Sequence, residues 1–201
     1  MTAKPTQPCV ALADLLDTLN CEDLDNRAGV VTEVLVGYAD EVATWPDLPK
    51  PSGEALTMDK AGTWEGNLAF ITGCQMQRFV FPDEQAELKI SEAGENGNEV
   101  VLYELDVTRY RMGATLFGFL NAIKGRKLVL IVTDKNGNKY LMGDKLAPAR
   151  KVAGDGGTTG RAATDVNKQS VKFQYYCPRY LVFTGDTSAL LKPAAGASLT
   201  V

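Results

Sequence analysis

The chain has 201 residues, 45% of them hydrophobic and 23% charged, which suits one globular domain with a real core and argues against a disordered or collagen-like chain. It contains no histidine, which removes the commonest general base near neutral pH, the commonest metal ligand and every Ser-His-Asp or Cys-His arrangement. The net charge of −4 hides an imbalance: residues 1–100 hold 6 Lys and Arg against 18 Asp and Glu, whereas residues 101–201 hold 15 against 7.

Two readings of that imbalance stay open. The charges can pair within the subunit or face water, or an acidic surface can meet a basic surface on the next copy and set the register of a head-to-tail contact. No apolar run approaches the ~20 residues of a membrane-spanning helix. Met1 to Pro8 is polar, with two prolines and no signal-peptide profile, so the expectation is a cytoplasmic protein with no membrane partner. Cys9, Cys21, Cys74 and Cys177 are scattered and form no C-x-x-C pair, as suits reduced thiols more than a disulfide frame.

In chain order, Leu12, Leu15, Leu16 and Leu19 are spaced for one face of a short helix over Cys9 to Leu19. Val30 to Val36 is β-branched enough for a strand, closed by Gly37. Pro46, Pro49, Pro51 and Gly53 predict a long loop over residues 37–66, with Trp45 and Trp64 inside it. Strands follow at Asn67 to Thr72 and Met76 to Phe81. Ala86, Leu88 and Ile90 alternate with Glu87 and Lys89 in another. Glu99 to Tyr110 is the clearest strand, with Val101, Tyr103, Leu105 and Val107 on one face and Glu104, Asp106 and Thr108 on the other.

Leu116, Phe117, Phe119, Leu120 and Ile123 predict one amphipathic helix, capped by Thr115 and ended by Gly125. Leu128 to Val132 and Lys139 to Met142 form a hairpin around Asn136-Gly137. Residues 144–165 read as a second long loop, Lys168 to Cys177 as a strand, and Tyr180 to Phe183 as the last one. The fold class is therefore mainly β, a barrel or sandwich with one flanking helix and long extended loops. Its layout is an N-terminal arm over residues 1–29, a β domain over residues 30–184 and a C-terminal arm over residues 185–201.

The motifs carry little chemistry. Gly154 to Gly160 is glycine-rich but lacks the Lys-Ser/Thr ending and following helix of a phosphate loop. Asp134, Asn136 and Asn138 open like an EF-hand, but Lys139 and Lys145 stand where glycine and glutamate are needed, so turn chemistry explains them better. Glu104 and Asp106 lie about 7 Å apart on one strand face. They are a solvated face, or carboxylates lining a channel that repels DNA phosphates. Tyr175, Tyr176 and Tyr180, near Lys172 and Arg179, are core and strand-edge aromatics or a stacking platform for single-stranded nucleic acid. The expectation is a protein that is not an enzyme and uses no cofactor or metal.

LVLIVTDKNGNKYLMG (128–143), GDGGTTGRAATDVN (154–167) and SVKFQYYCPRYLVFTG (170–185) follow one another as an apolar strand with an N-G hairpin, a Gly/Thr-rich loop and a long strand ending in F-x-G. In this order, and in the helix before them, the chain resembles the major tail tube proteins of bacteriophages over about half its length. The resemblance implies a virion structural protein, assembled in the host cytoplasm and located in the tail. Six copies would form a ring around a channel for viral DNA, and rings would stack head to tail and meet other tail proteins. It makes Glu104 and Asp106 candidates for the lumen. Lys145, Arg150, Lys151 and Arg161 become candidates for contacts between subunits. Trp45 and Trp64 can be core residues or anchors on a neighbour. The alternatives are a β-sandwich binding module for glycan or single-stranded nucleic acid, or another tail component such as a terminator or baseplate part.

Overall fold

The computed structural model describes residues 10–11, 13–15, 26–51, 55–95, 97–162 and 164–191. In chain order the elements are β1 (Val30–Tyr38), β2 (Val42–Thr44), α1 (Met58–Ala61), β3 (Ala69–Phe70), β4 (Gln77–Val80), β5 (Ala86–Ala93), β6 (Val100–Tyr110), α2 (Ala114–Ile123), β7 (Leu128–Asp134), β8 (Lys139–Met142), β9 (Arg150–Val152), β10 (Gly157–Thr158) and β11 (Lys168–Cys177). They build two antiparallel sheets in sandwich fashion, with no closed barrel. One sheet has the order β4-β1-β7-β8, the other β10-β11-β6-β5 with β9 also on β11, and β2 pairs with β3 in a small ribbon.

Alternation sets the second sheet. β6 and β11 stay in register from Tyr110↔Lys168 to Val101↔Cys177. Val101, Tyr103, Leu105 and Val107 of β6 and Val171, Phe173, Tyr175 and Cys177 of β11 are therefore all turned inward, and all are buried. The first sheet reads differently because β7 is buried on both faces. Its first five residues, Leu128 to Val132, form an unbroken apolar run. On one face Val34 lies in register with Phe79 and Val132, and Phe79 stacks on Phe119 of α2 with ring centroids 4.7 Å apart. The other face is approached by the β2–β3 ribbon. A Cβ on Gly37 would lie 2.7 Å from the Phe70 ring, so glycine is what lets ribbon and strand meet there.

One corner joins the sheets. After β8 the chain turns at Gly143, whose φ is +117°, and Ala149 pairs with Leu128 through bonds of 2.8 and 2.9 Å. The next three residues, β9, pair with β11. Ala149 to Val152 thus belongs to both sheets.

Several expectations change. Residues 144–165 are not a single loop, because β9 and β10 occupy the free edge of β11. Residues 37–66 are not structureless either: β1 runs on through Gly37 to Tyr38, and β2, α1 and an Asp47↔Glu65 bridge follow. The prolines break these elements into short pieces, and the turns between them are satisfied by local bonds. The helix α2 is capped by Gly113 rather than Thr115, while Gly125 at φ +69° does follow its end. Tyr180 to Phe183 makes only a single bridge, Val182↔Thr63. The domain continues past residue 184, since Leu190 is buried and Leu191 bridges Met76. Of the helix expected over Cys9 to Leu19, residues 10–11 and 13–15 are described and carry no helical turn, Val10 bridging Leu56 instead; the rest lies outside the described residues.

Candidate functional site

Glu104 and Asp106 do share the outer face of the five-stranded sheet, as alternation predicts, but neither stands free. Lys172 Nζ donates to Glu104 Oε1 at 3.0 Å, and the Gln174 amide donates to the same oxygen. These donors hold the Glu104 carboxyl below the usual carboxylate range, Gln174 being the larger cause. Ser170 Oγ donates to Asp106 at 2.8 Å. Across the other edge of β6, Glu87 faces Asp106 and Lys89 faces Glu104. The face mixes three carboxylates, Glu87, Glu104 and Asp106, with two amines, Lys89 and Lys172, and is not uniformly acidic. It offers a phosphate backbone no continuous basic track.

The basic candidates divide. Lys145 and Arg150 come together with Lys127 around a hollow of about 350 Å³ beside Trp45 and Asp40. Lys151 does not join them: it lies in register with inward-facing Phe173, whereas Arg150 lies in register with outward-facing Gln174. Arg161 is elsewhere, in a turn where Asp165 accepts from the backbone N–H groups of Arg161 and Ala162 at 2.7 and 2.9 Å. Trp64 is 3% exposed and belongs to the subunit's own core, which removes it as an anchor for a neighbour; Trp45 is half-buried.

The sequence reading missed how the Lys145 turn is built. Asp144 Oδ1 accepts from the N–H groups of Leu146 and Ala147, each at 2.6 Å, and Asp144 Oδ2 accepts from the Tyr175 hydroxyl at 2.9 Å. This Asx turn is anchored to the core, since Tyr175 is 1% exposed. It holds Leu146 at 93% exposure. The signal was present in Gly143-Asp144 and Pro148, a turn-forming set between two apolar runs. A second feature was not legible at all. An apolar hollow of about 400 Å³ lies between α2 and the four-stranded sheet.

No protein-family model, curated protein or solved structure matches this chain.

Other chemistry is thin among the described residues. No group of three His, Cys, Asp or Glu side chains is placed to hold a metal, and no helix is long and apolar enough to cross a membrane. Cys74 and Cys177 are free thiols, the second pushed up in pKa by burial. Buried Tyr175 cannot serve as a stacking surface, which leaves Tyr176 and Tyr180 as the exposed aromatics of that segment. Asp134 accepts from the N–H groups of Asn136 and Asn138 at 2.9 and 2.8 Å, the turn role expected of it.

Proposed function

We propose that this chain is a structural, non-enzymatic subunit that assembles with copies of itself, as a phage tail tube protein does, into stacked rings around a channel. One observation carries the reading. Three ion pairs form among the described residues, Arg78–Glu33, Lys135–Asp83 and Lys172–Glu104. Only Lys135–Asp83 joins the acidic half of the sequence to the basic half, so the imbalance is left for contacts outside the subunit. Unequal surfaces of this kind favour head-to-tail association, which closes into rings or extends into filaments. The edge of β5 opposite β6 supports it, an eight-residue strand with no strand partner on that side among the described residues and so a template for pairing with another copy.

In such a ring the outer face of β5, β6 and β11 is the candidate channel surface. It carries three carboxylates and only two amines, so passing DNA would meet no basic track on which to settle. Light scattering over a concentration series, with negative-stain imaging, tests the reading. Rings or tubes that weaken as salt rises are expected, because the contacts are charged. A protein that stays monomeric at every concentration and low salt overturns it.

A further inference from the structure

The hollow beneath α2 and the turn at Asp144 are complementary, although they lie on the same molecule. The hollow has an apolar floor of Val36, Phe119, Ala122, Ile123 and Leu128. Its rim carries Glu41, Cys74 and Gln75. Gln75 Oε1 is buried and accepts no hydrogen bond, an acceptor left without a donor. A buried polar atom of that kind normally has a partner. Glu41 forms no ion pair among the described residues. What the hollow lacks is an apolar side chain accompanied by a cation.

The Asp144 turn presents that combination. Leu146 is 93% exposed at its tip, and Lys145, likewise without an ion-pair partner among the described residues, stands beside it. The ammonium can pair with the Glu41 carboxylate on the rim. Because Asp144 already fixes the turn, little backbone freedom is lost when it docks. Leu15 is equally exposed, but it follows Asp14, which would bring like charge to Glu41. The turn cannot be filling its own hollow, since Leu146 is in solvent.

We infer that the Asp144 turn of one copy inserts Leu146 into the hollow beneath α2 of a second copy, with Lys145 meeting Glu41 at the rim. The inference rests on the self-assembly reading and names the contact. Cys74 on the rim supplies the test, as a native thiol that Leu146 would approach.

The Leu146→Cys variant of the full chain should form disulfide-linked species between copies under mild oxidation, seen as a ladder on non-reducing gels. The parent chain and the Leu146→Cys/Cys74→Ser double variant should not. Lys145→Glu should raise the concentration needed for assembly ~10-fold, and adding Glu41→Lys should restore it. A parent chain that assembles while Leu146→Cys gives no linked species overturns the contact and leaves assembly standing. A dimer band with nothing larger supports the contact and overturns the head-to-tail tube if the Cys74→Ser change abolishes it, whereas a dimer that survives Cys74→Ser is a link between the two introduced thiols and overturns the contact. A parent chain that stays monomeric, with no linked species, overturns both.

Discussion

The Tyr175 hydroxyl donates to Oδ2 of Asp144 at 2.9 Å, and through this bond the core of the five-stranded sheet holds a surface turn. The ring of Tyr175 packs against Tyr103, with centroids 5.9 Å apart, so core packing holds the donor in place. Burial pushes the phenol far above its ordinary pKa, which keeps it protonated and able to donate.

Tyr175→Phe keeps the ring and removes the donor. The expected loss is about 1.5–3 kcal/mol, the range for a hydrogen bond to a charged group. Asp144→Ala also removes the acceptor for the Leu146 and Ala147 N–H groups, so it should loosen the turn itself. Urea midpoints measure the first effect. Faster amide hydrogen exchange at residues 145–147 in the alanine variant, with the core unchanged, measures the second.

Gly143 makes the corner possible. Its φ of +117° is one that other residues rarely adopt, and a Cβ there would lie 2.9 Å from the Leu128 carbonyl oxygen. Gly143→Ala should cost about 1–3 kcal/mol for the backbone conformation alone. The neighbouring backbone has no freedom to yield, because Leu128 is paired with Ala149 on both its N–H and its carbonyl. A thermal midpoint equal to that of the parent would show that the corner bears no strain.

Glu104 gives a pH signature. Its donors Gln174 and Lys172 hold its folded pKa below the ordinary value of ~4.3. A depressed carboxyl stabilises the fold at pH above its unfolded value, and the contribution fades as pH falls through the folded one. Glu104→Gln should therefore be less stable than the parent by a constant margin above ~pH 5, and the margin should shrink in the acid range. Urea unfolding at a series of pH values reads this directly. A margin that widens on acidification would mean the carboxylate is strained by Glu87 and Asp106 rather than held by its donors.

How much of this was legible follows from where each residue's partners lie. The alternation of β6 and β11 placed Tyr103, Leu105, Phe173 and Val171 in the core because a strand face is a local property. The same alternation put Glu104 and Asp106 together, but could not show that Lys172 and Gln174 would both donate to Glu104. Those partners lie 68 and 70 residues away from Glu104, and only the register of β11 on β6 brings them near. Residues 150–152 looked like loop because three residues flanked by Ala149 and Ala153 carry no periodic signal; their strand character is imposed by the waiting edge of β11. Trp64 was ambiguous for a similar reason, since its cover comes from elements distant in sequence. The hollow beneath α2 depends on how a helix sits on a sheet, which no window of sequence encodes.

The last prediction separates two neighbours that share a charge. Arg150 lies in register with Gln174, on the outer face, and borders the hollow with Lys127 and Lys145. Lys151 lies in register with Phe173, on the side turned toward the core, and is only half-exposed. A charge contact between copies should therefore depend on the first and not the second. Arg150→Glu should weaken assembly at low salt, and the difference from the parent should close as ionic strength rises, because exposed charges are screened beyond about 8–10 Å. Lys151→Glu should leave assembly nearly unchanged and act on the fold, since it brings a carboxylate to the rim of an apolar layer. Light scattering at two salt concentrations, beside urea unfolding of each variant, distinguishes the two. If both substitutions weaken assembly equally, the face assigned to Arg150 is not the one that meets the neighbour.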